Sequence, residues 1–106
     1  MATYQELITK LINRIRELIE TEIYQSQPLS KYKNLFEKYC SMITNSKFEE
    51  ICYYVDHYIS SNRDEIYSSI NHELIKEDID IDAEKINKLV DLLFALKKLV
   101  NNLHNE

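Results

Sequence analysis

Apolar residues recur at three- and four-residue spacing along most of the chain, the period of helices that bury one face. Tyr4, Leu7, Ile8, Leu11, Ile12, Ile15, Leu18, Ile19 and Ile23 draw one broad stripe and predict a first helix from about Thr3 to Tyr24. Its other face is polar, with Glu6/Lys10 and Arg16/Glu20 at the distance where opposite charges help slightly. Ser26-Gln27-Pro28 ends it, because proline is accommodated only in a helix's first turn.

A second helix is predicted over roughly 29–44, with Tyr32, Leu35, Phe36, Tyr39, Cys40 and Ile43 as its apolar face. Thr44-Asn45-Ser46 stops it. Asn45 is suited to the left-handed C-terminal conformation, and Ser46 with Glu49 has the form of a capping box. The third helix turns Phe48, Ile51, Cys52, Val55, Tyr58 and Ile59 inward. Ser60-Ser61-Asn62 reads as a further break, with Asn62 and Glu65 as a second capping pair. Ile59, Ile66, Ile70 and Leu74 continue the stripe, so 47–77 as one long helix is the alternative. Such a helix would be roughly 46 Å long and overhang its neighbours. A break or kink near Ser61 is therefore preferred.

The last helix starts near Asp82 and runs to about Leu103. Ile86, Leu89, Val90, Leu92, Leu93, Phe94, Leu96, Leu99, Val100 and Leu103 cover more than half of its circumference, too much for a simple outer helix. It is either the centre of the bundle or partly covered by a second copy or a partner. The expected architecture is one all-α domain over 1–106, an antiparallel four-helix bundle, or five segments if the third helix breaks.

Composition narrows the function classes. The chain has no glycine, where roughly seven would be average, and one proline. Without glycine there is no P-loop, no dinucleotide fingerprint and no glycine-flanked nucleophile elbow, and no cofactor is expected. The net charge is −5. Residues 1–53 hold seven acids and seven bases, whereas 54–106 hold eleven acids and six bases. No cationic face is visible, which argues against direct nucleic-acid binding. Cys40 and Cys52 fall on apolar stripes and read as core thiols in a reducing compartment. The N-terminus lacks a secretory pattern, and the longest apolar run, Leu92 to Leu96, is too short to span a bilayer. A cytoplasmic protein is expected.

Two surfaces stand out as candidates for binding a partner. The first is acidic: Glu73, Glu77, Asp78, Asp80, Asp82 and Glu84 face a single base, Lys76. The spacing of Asp78, Asp80 and Asp82 starts like a calcium loop, but Ala83 and Leu89 stand where its glycine and bidentate glutamate belong. The local reading is Asp82 as N-cap with Glu84 favoured by the helix dipole, and the functional one is an anionic patch for a basic partner. The second is aromatic: with Ile51, Val55 and Ile59 inward, Tyr53 and His57 lie outward one turn apart, and Tyr54 lies at the border. Tyrosine brings a large rigid surface and a hydroxyl to an interface. The alternative is that a neighbouring helix covers these rings. His57, His72 and His104 are far apart in sequence, no Ser or Cys has an evident His and carboxylate partner, no Glu-x-x-His pair occurs, and no enzyme is expected.

Tyr4-Gln5-Glu6-Leu7-Ile8, the Tyr32 to Tyr39 helix and the helix start Asp82-Ala83-Glu84-Lys85-Ile86-Asn87-Lys88-Leu89 together resemble the small immunity proteins of the enterocin A type. That resemblance implies bacteriocin immunity through binding at the cytosolic side of a membrane sugar transporter, with specificity in the C-terminal part. Tyr53-Tyr54 also resembles the adjacent tyrosines of colicin DNase immunity proteins, but the following proline and the glycines of that family are missing. The leading expectation is a non-catalytic protein that binds a transporter or a bacteriocin–receptor complex. The alternatives are a phage-type inhibitor of anti-CRISPR kind, setting its acidic surface against a nucleic-acid-processing protein, and a structural homodimer formed through the last helix.

Overall fold

The computed structural model describes residues 3–23, 47–76, 78 and 80–105, and over these the protein is an all-α bundle. Helix α1 spans Tyr4–Glu17 and passes without interruption into π-helical turns over Leu18–Ile23. Helices α2, α3 and α4 span Phe48–Tyr58, Arg63–Lys76 and Ala83–His104. The second predicted helix, with Cys40, the Ser46 half of its capping box and the left-handed Asn45, lies outside the described residues. Lys47 is the N-cap of α2 and makes no side-chain capping hydrogen bond.

Helix α1 begins as its sequence suggests. Thr3 Oγ1 accepts the Glu6 backbone N–H at 3.2 Å, filling one of the donors a helix start leaves free. Ile8, Ile12 and Ile15 are buried and Leu18 and Ile19 continue the stripe, while Leu7 is exposed at its edge. The expected plain helix to Tyr24 is corrected at Leu18, where the backbone widens into π geometry. Within these turns the Thr21 hydroxyl donates to the Glu17 carbonyl at 2.6 Å, as the Thr9 hydroxyl does to the Gln5 carbonyl in the regular part of α1. A lysine of α4 also reaches this end, Lys85 Nζ donating to the Glu22 carbonyl at 3.2 Å.

The break near Ser61 is present, and the single long helix over 47–77 is not. Ile59 is extended (φ −112°, ψ 123°) and only 4% exposed, so burying its side chain carries the chain out of α2. Asn62 Oδ1 then accepts the Asp64 N–H at 2.9 Å and starts α3. The expected reciprocal contact from Glu65 runs through an intermediary. The Asn62 N–H donates to Ser60 Oγ at 3.1 Å, and that hydroxyl donates to the Glu65 carboxylate.

Helix α4 is the centre of the bundle, packed by α1 with its π extension, by α2 and by α3. Glu22 meets Lys85, and Arg14 lies in the same cleft as Asp91 and Leu92, so α1 runs antiparallel to α4. Leu89, Val90, Leu93, Leu96 and Val100 are essentially inaccessible, and Leu92, Phe94, Leu99 and Leu103 pack partly buried around them. Most of the wide apolar girth of α4 is thus taken up within the chain. Between α3 and α4, Asp78 takes the left-handed conformation (φ 54°) and its N–H donates to the Ile75 carbonyl at 3.1 Å. A glycine would usually sit there, and Asp is among the few residues that substitute for it. No helix among the described residues is long and apolar enough to cross a membrane.

Candidate protein-binding face

The two surfaces singled out from sequence lie at opposite ends of α4. Asp82 is the N-cap of that helix, its Oδ1 accepting the Glu84 N–H at 3.0 Å. Helix α2 sits at the other end, where Asp56 meets Lys97 and His104. The 22 residues of α4 set the two ends about 33 Å apart along its axis. Tyr53, Tyr54 and His57 are brought together; Asp78, Asp80 and Asp82 form a separate group.

The acidic group is organised as a helix connection. Asp78 shapes the left-handed turn, Asp82 caps α4, and Ile81 between the exposed Asp80 and Asp82 is 9% exposed and pins the segment to the core. Among the described residues no set of three potential metal ligands converges.

The aromatic group is a ladder of four rings along α2, with Tyr53, His57 and Tyr58 exposed and Tyr54 half-buried against the core. Tyr53 and His57 stack at 4.0 Å between centroids, Tyr54 and Tyr58 stack at 5.7 Å with their planes 13° apart, and Tyr53 meets Tyr54 edge-on at 5.8 Å. Tyr58 had been expected inward. It is 47% exposed and Tyr53 is 57% exposed, while the buried positions of α2 are Cys52 and Val55. Tyr58 belongs with Tyr54, four residues earlier and half-buried, because α2 presents only a narrow stripe to the core. His57 Nδ1 lies 3.0 Å from the Tyr53 carbonyl. A carbonyl only accepts, so Nδ1 carries the hydrogen in this contact.

A buried cation holds this helix in place. Lys97 is 7% exposed, and its ammonium donates to the carbonyls of Val55 at 3.4 Å and Asp56 at 3.2 Å, with Asp56 Oδ1 at 3.7 Å. These carbonyls belong to the last turns of α2, the negative end of its dipole, where a cation is favoured. His104 Nε2 lies 2.7 Å from the other oxygen of the same carboxylate. Lys97 was legible as an anomaly, because it stands within the apolar stripe between Leu93 and Val100. Nothing in the sequence pointed to the carbonyls of Val55 and Asp56 as its partners. Beneath the ladder, burial and then the Asp56 charge push the Cys52 thiol above its ordinary pKa, consistent with a free core cysteine.

An open cleft of about 510 Å³ runs between the π-helical turns and α4, lined among others by Arg14, Glu17, Glu22, Lys88 and Asp91. Its charges are of both signs. No family model matches the chain, and neither the curated proteins nor the solved structures contain a significant match to it.

Proposed function

We propose that the chain is a non-catalytic protein-binding protein whose contact surface is the aromatic face of α2, acting in the cytoplasm as a bacteriocin immunity protein. One observation carries the binding reading: the exposed Tyr53, His57 and Tyr58 are pre-stacked, with the half-buried Tyr54, along a helix that a buried lysine anchors to the core. Rings already ordered by stacking lose little freedom on binding, so more of their contact energy is kept as affinity. The immunity setting rests on the resemblance of the helix pattern to the enterocin A type, with a membrane transporter or a bacteriocin–receptor complex as partner. A homodimer through α4 is the weaker reading, because most of the apolar face of that helix packs within the chain.

The phage-type inhibitor remains as second reading, favoured by the exposed Asp78 and Asp80 at the far end of α4. A photo-crosslinking phenylalanine analogue placed at Tyr53, and separately at Asp80, tests both in cells exposed to the bacteriocin. Immunity predicts capture of a membrane transporter from Tyr53 and not from Asp80. Capture of a nucleic-acid-processing protein from Asp80 alone would replace it with the inhibitor reading.

A further inference from the structure

We infer that α2 is a latched element: it parts from α4 as one unit about a hinge at 59–62, ahead of the rest of the bundle, and Lys97 is the latch that holds it shut. The inference goes beyond the proposed function and stands whether or not α2 is the contact surface.

The dry footprint of α2 is small. Its buried side chains are Cys52 and Val55, whereas α1 with its π extension buries Ile8, Ile12, Ile15, Leu18 and Ile19, and α3 buries Ile66, Ile70 and Leu74. Phe48, Ile51 and Tyr54 add partly buried surface, as Leu11 does for α1 and Tyr67 for α3. Stabilisation by burial scales with the apolar area removed from water, so α2 is the least firmly held of the described helices.

The hinge is built to outlast its departure. Ile59 is extended and 4% exposed, which keeps the start of the hinge in the core. The cap of α3 is made by Ser60, Asn62, Asp64 and Glu65, all beyond α2. Asn101 Nδ2 donates to Ser61 Oγ at 3.5 Å, a further tie between the hinge and α4.

The contact that fixes the last turn of α2 on α4 is polar. The Ile59 N–H closes the α2 ladder on the Val55 carbonyl at 3.1 Å, and Lys97 donates to that carbonyl and to the next, that of Asp56. The Asp56 carboxylate lies beside the ammonium, with His104 on its other oxygen. Such groups regain hydration when they separate, so the intact latch adds little to the energy of closure. A broken latch costs far more, because it leaves its surviving partners in a half-dry site without a donor. Lys97 thus fixes where α2 sits and still lets it open. The rings of Tyr53, Tyr54, His57 and Tyr58 leave with the helix, and a ligand of the closed face would shift the balance toward closure.

Native-state hydrogen exchange of the full chain, followed by NMR in urea below the unfolding transition, tests this. The amides of 52–58 are expected to share one opening, with an equilibrium constant at least about 10-fold that of 89–96 and a smaller but non-zero urea dependence. Ile12→Val in α1 should speed exchange at 89–96 and leave 52–58 unchanged, because the opening of α2 keeps α1 packed. Lys97→Met should speed 52–58 about 30-fold, and Asp56→Asn, a milder change that serves if Lys97→Met does not fold, about 3-fold. One opening constant and one urea dependence for 52–58 and 89–96, or an equal response of both segments to Ile12→Val, would overturn the inference. Exchange at 52–58 without urea dependence would also overturn it, since that is fraying residue by residue. Exchange at 52–58 unchanged in both latch variants would overturn the role of Lys97.

Discussion

The two ends of α4 meet the same requirement, ending a neighbouring helix within the bundle, by different means. At its C-terminal end, where Ile59 takes the chain out of α2, the last turn is held by a buried, long-range contact, the Lys97 ammonium on the Val55 and Asp56 carbonyls. At its N-terminal end α3 is terminated by the left-handed Asp78 and α4 is started by Asp82, both through exposed contacts between residues close in sequence. A local cap stabilises one turn of one helix. A buried lysine reaching across 42 residues couples the position of α2, and with it the aromatic face, to the core.

That contrast is open to direct attack by mutation. Lys97→Met keeps most of the side-chain volume but takes from the Asp56 carboxylate one of its two partners among the described residues, leaving His104, and strips a donor from two carbonyls. The expected cost is about 2 kcal/mol in urea unfolding, below the range for a fully buried pair because Asp56 is partly solvated. A cost under about 0.5 kcal/mol would mean that Lys97 is not what holds α2.

Asp82→Ala at the other end removes one local cap and should cost about 1 kcal/mol, leaving the amide shifts of 48–58 unchanged. Perturbed α2 amides in that variant would show that the two ends are coupled. Asp78→Gly replaces a residue in the left-handed region by the one that adopts it freely. A gain of about 0.5 kcal/mol is expected, and a loss would place the value of Asp78 in its side chain.

Cys52 supplies a pH test at the α2 end. Its folded-state pKa is raised, so the fold holds the thiol protonated. The resulting stability is fully present below the ordinary value of 9.0 and is lost as the pH rises through the folded value. The steeper fall in stability above pH 9.0 than below it should shrink in Cys52→Ala, followed by chemical denaturation at each pH. Asp56→Asn should narrow the effect without abolishing it, because burial is the larger cause. An unaltered pH profile in Cys52→Ala would assign the fall to other groups.

Much of this architecture was legible in the chain, for reasons that differ by element. The Ile8, Ile12, Ile15 and Ile66, Ile70, Leu74 stripes record which side of each helix is dry, and those residues are buried as their spacing requires. The break near Ser61 and the Asp82 cap were readable because both depend on side chains within three residues of the backbone groups they serve. Tyr58 was misplaced because spacing alone does not say how wide a stripe the core covers. Of the candidate face, Tyr53 and His57 were placed outward by the helix period, and their stacking followed from the i,i+4 distance.

By itself, then, the sequence determined what depends on neighbours along the chain: helix period, the starts of α1, α3 and α4, the absence of glycine-dependent sites and the grouping of the aromatic residues. Only the tertiary structure decided that α4 is the central helix, that the aromatic and acidic groups are held apart at its two ends, and that Lys97 is a buried cap. These depend on which carbonyls and carboxylates lie opposite a side chain after packing, on residues tens of positions away. A charged residue in an apolar stripe announces that some partner must exist, because an unpaired buried ammonium is too costly to keep. The geometry of the bundle names that partner.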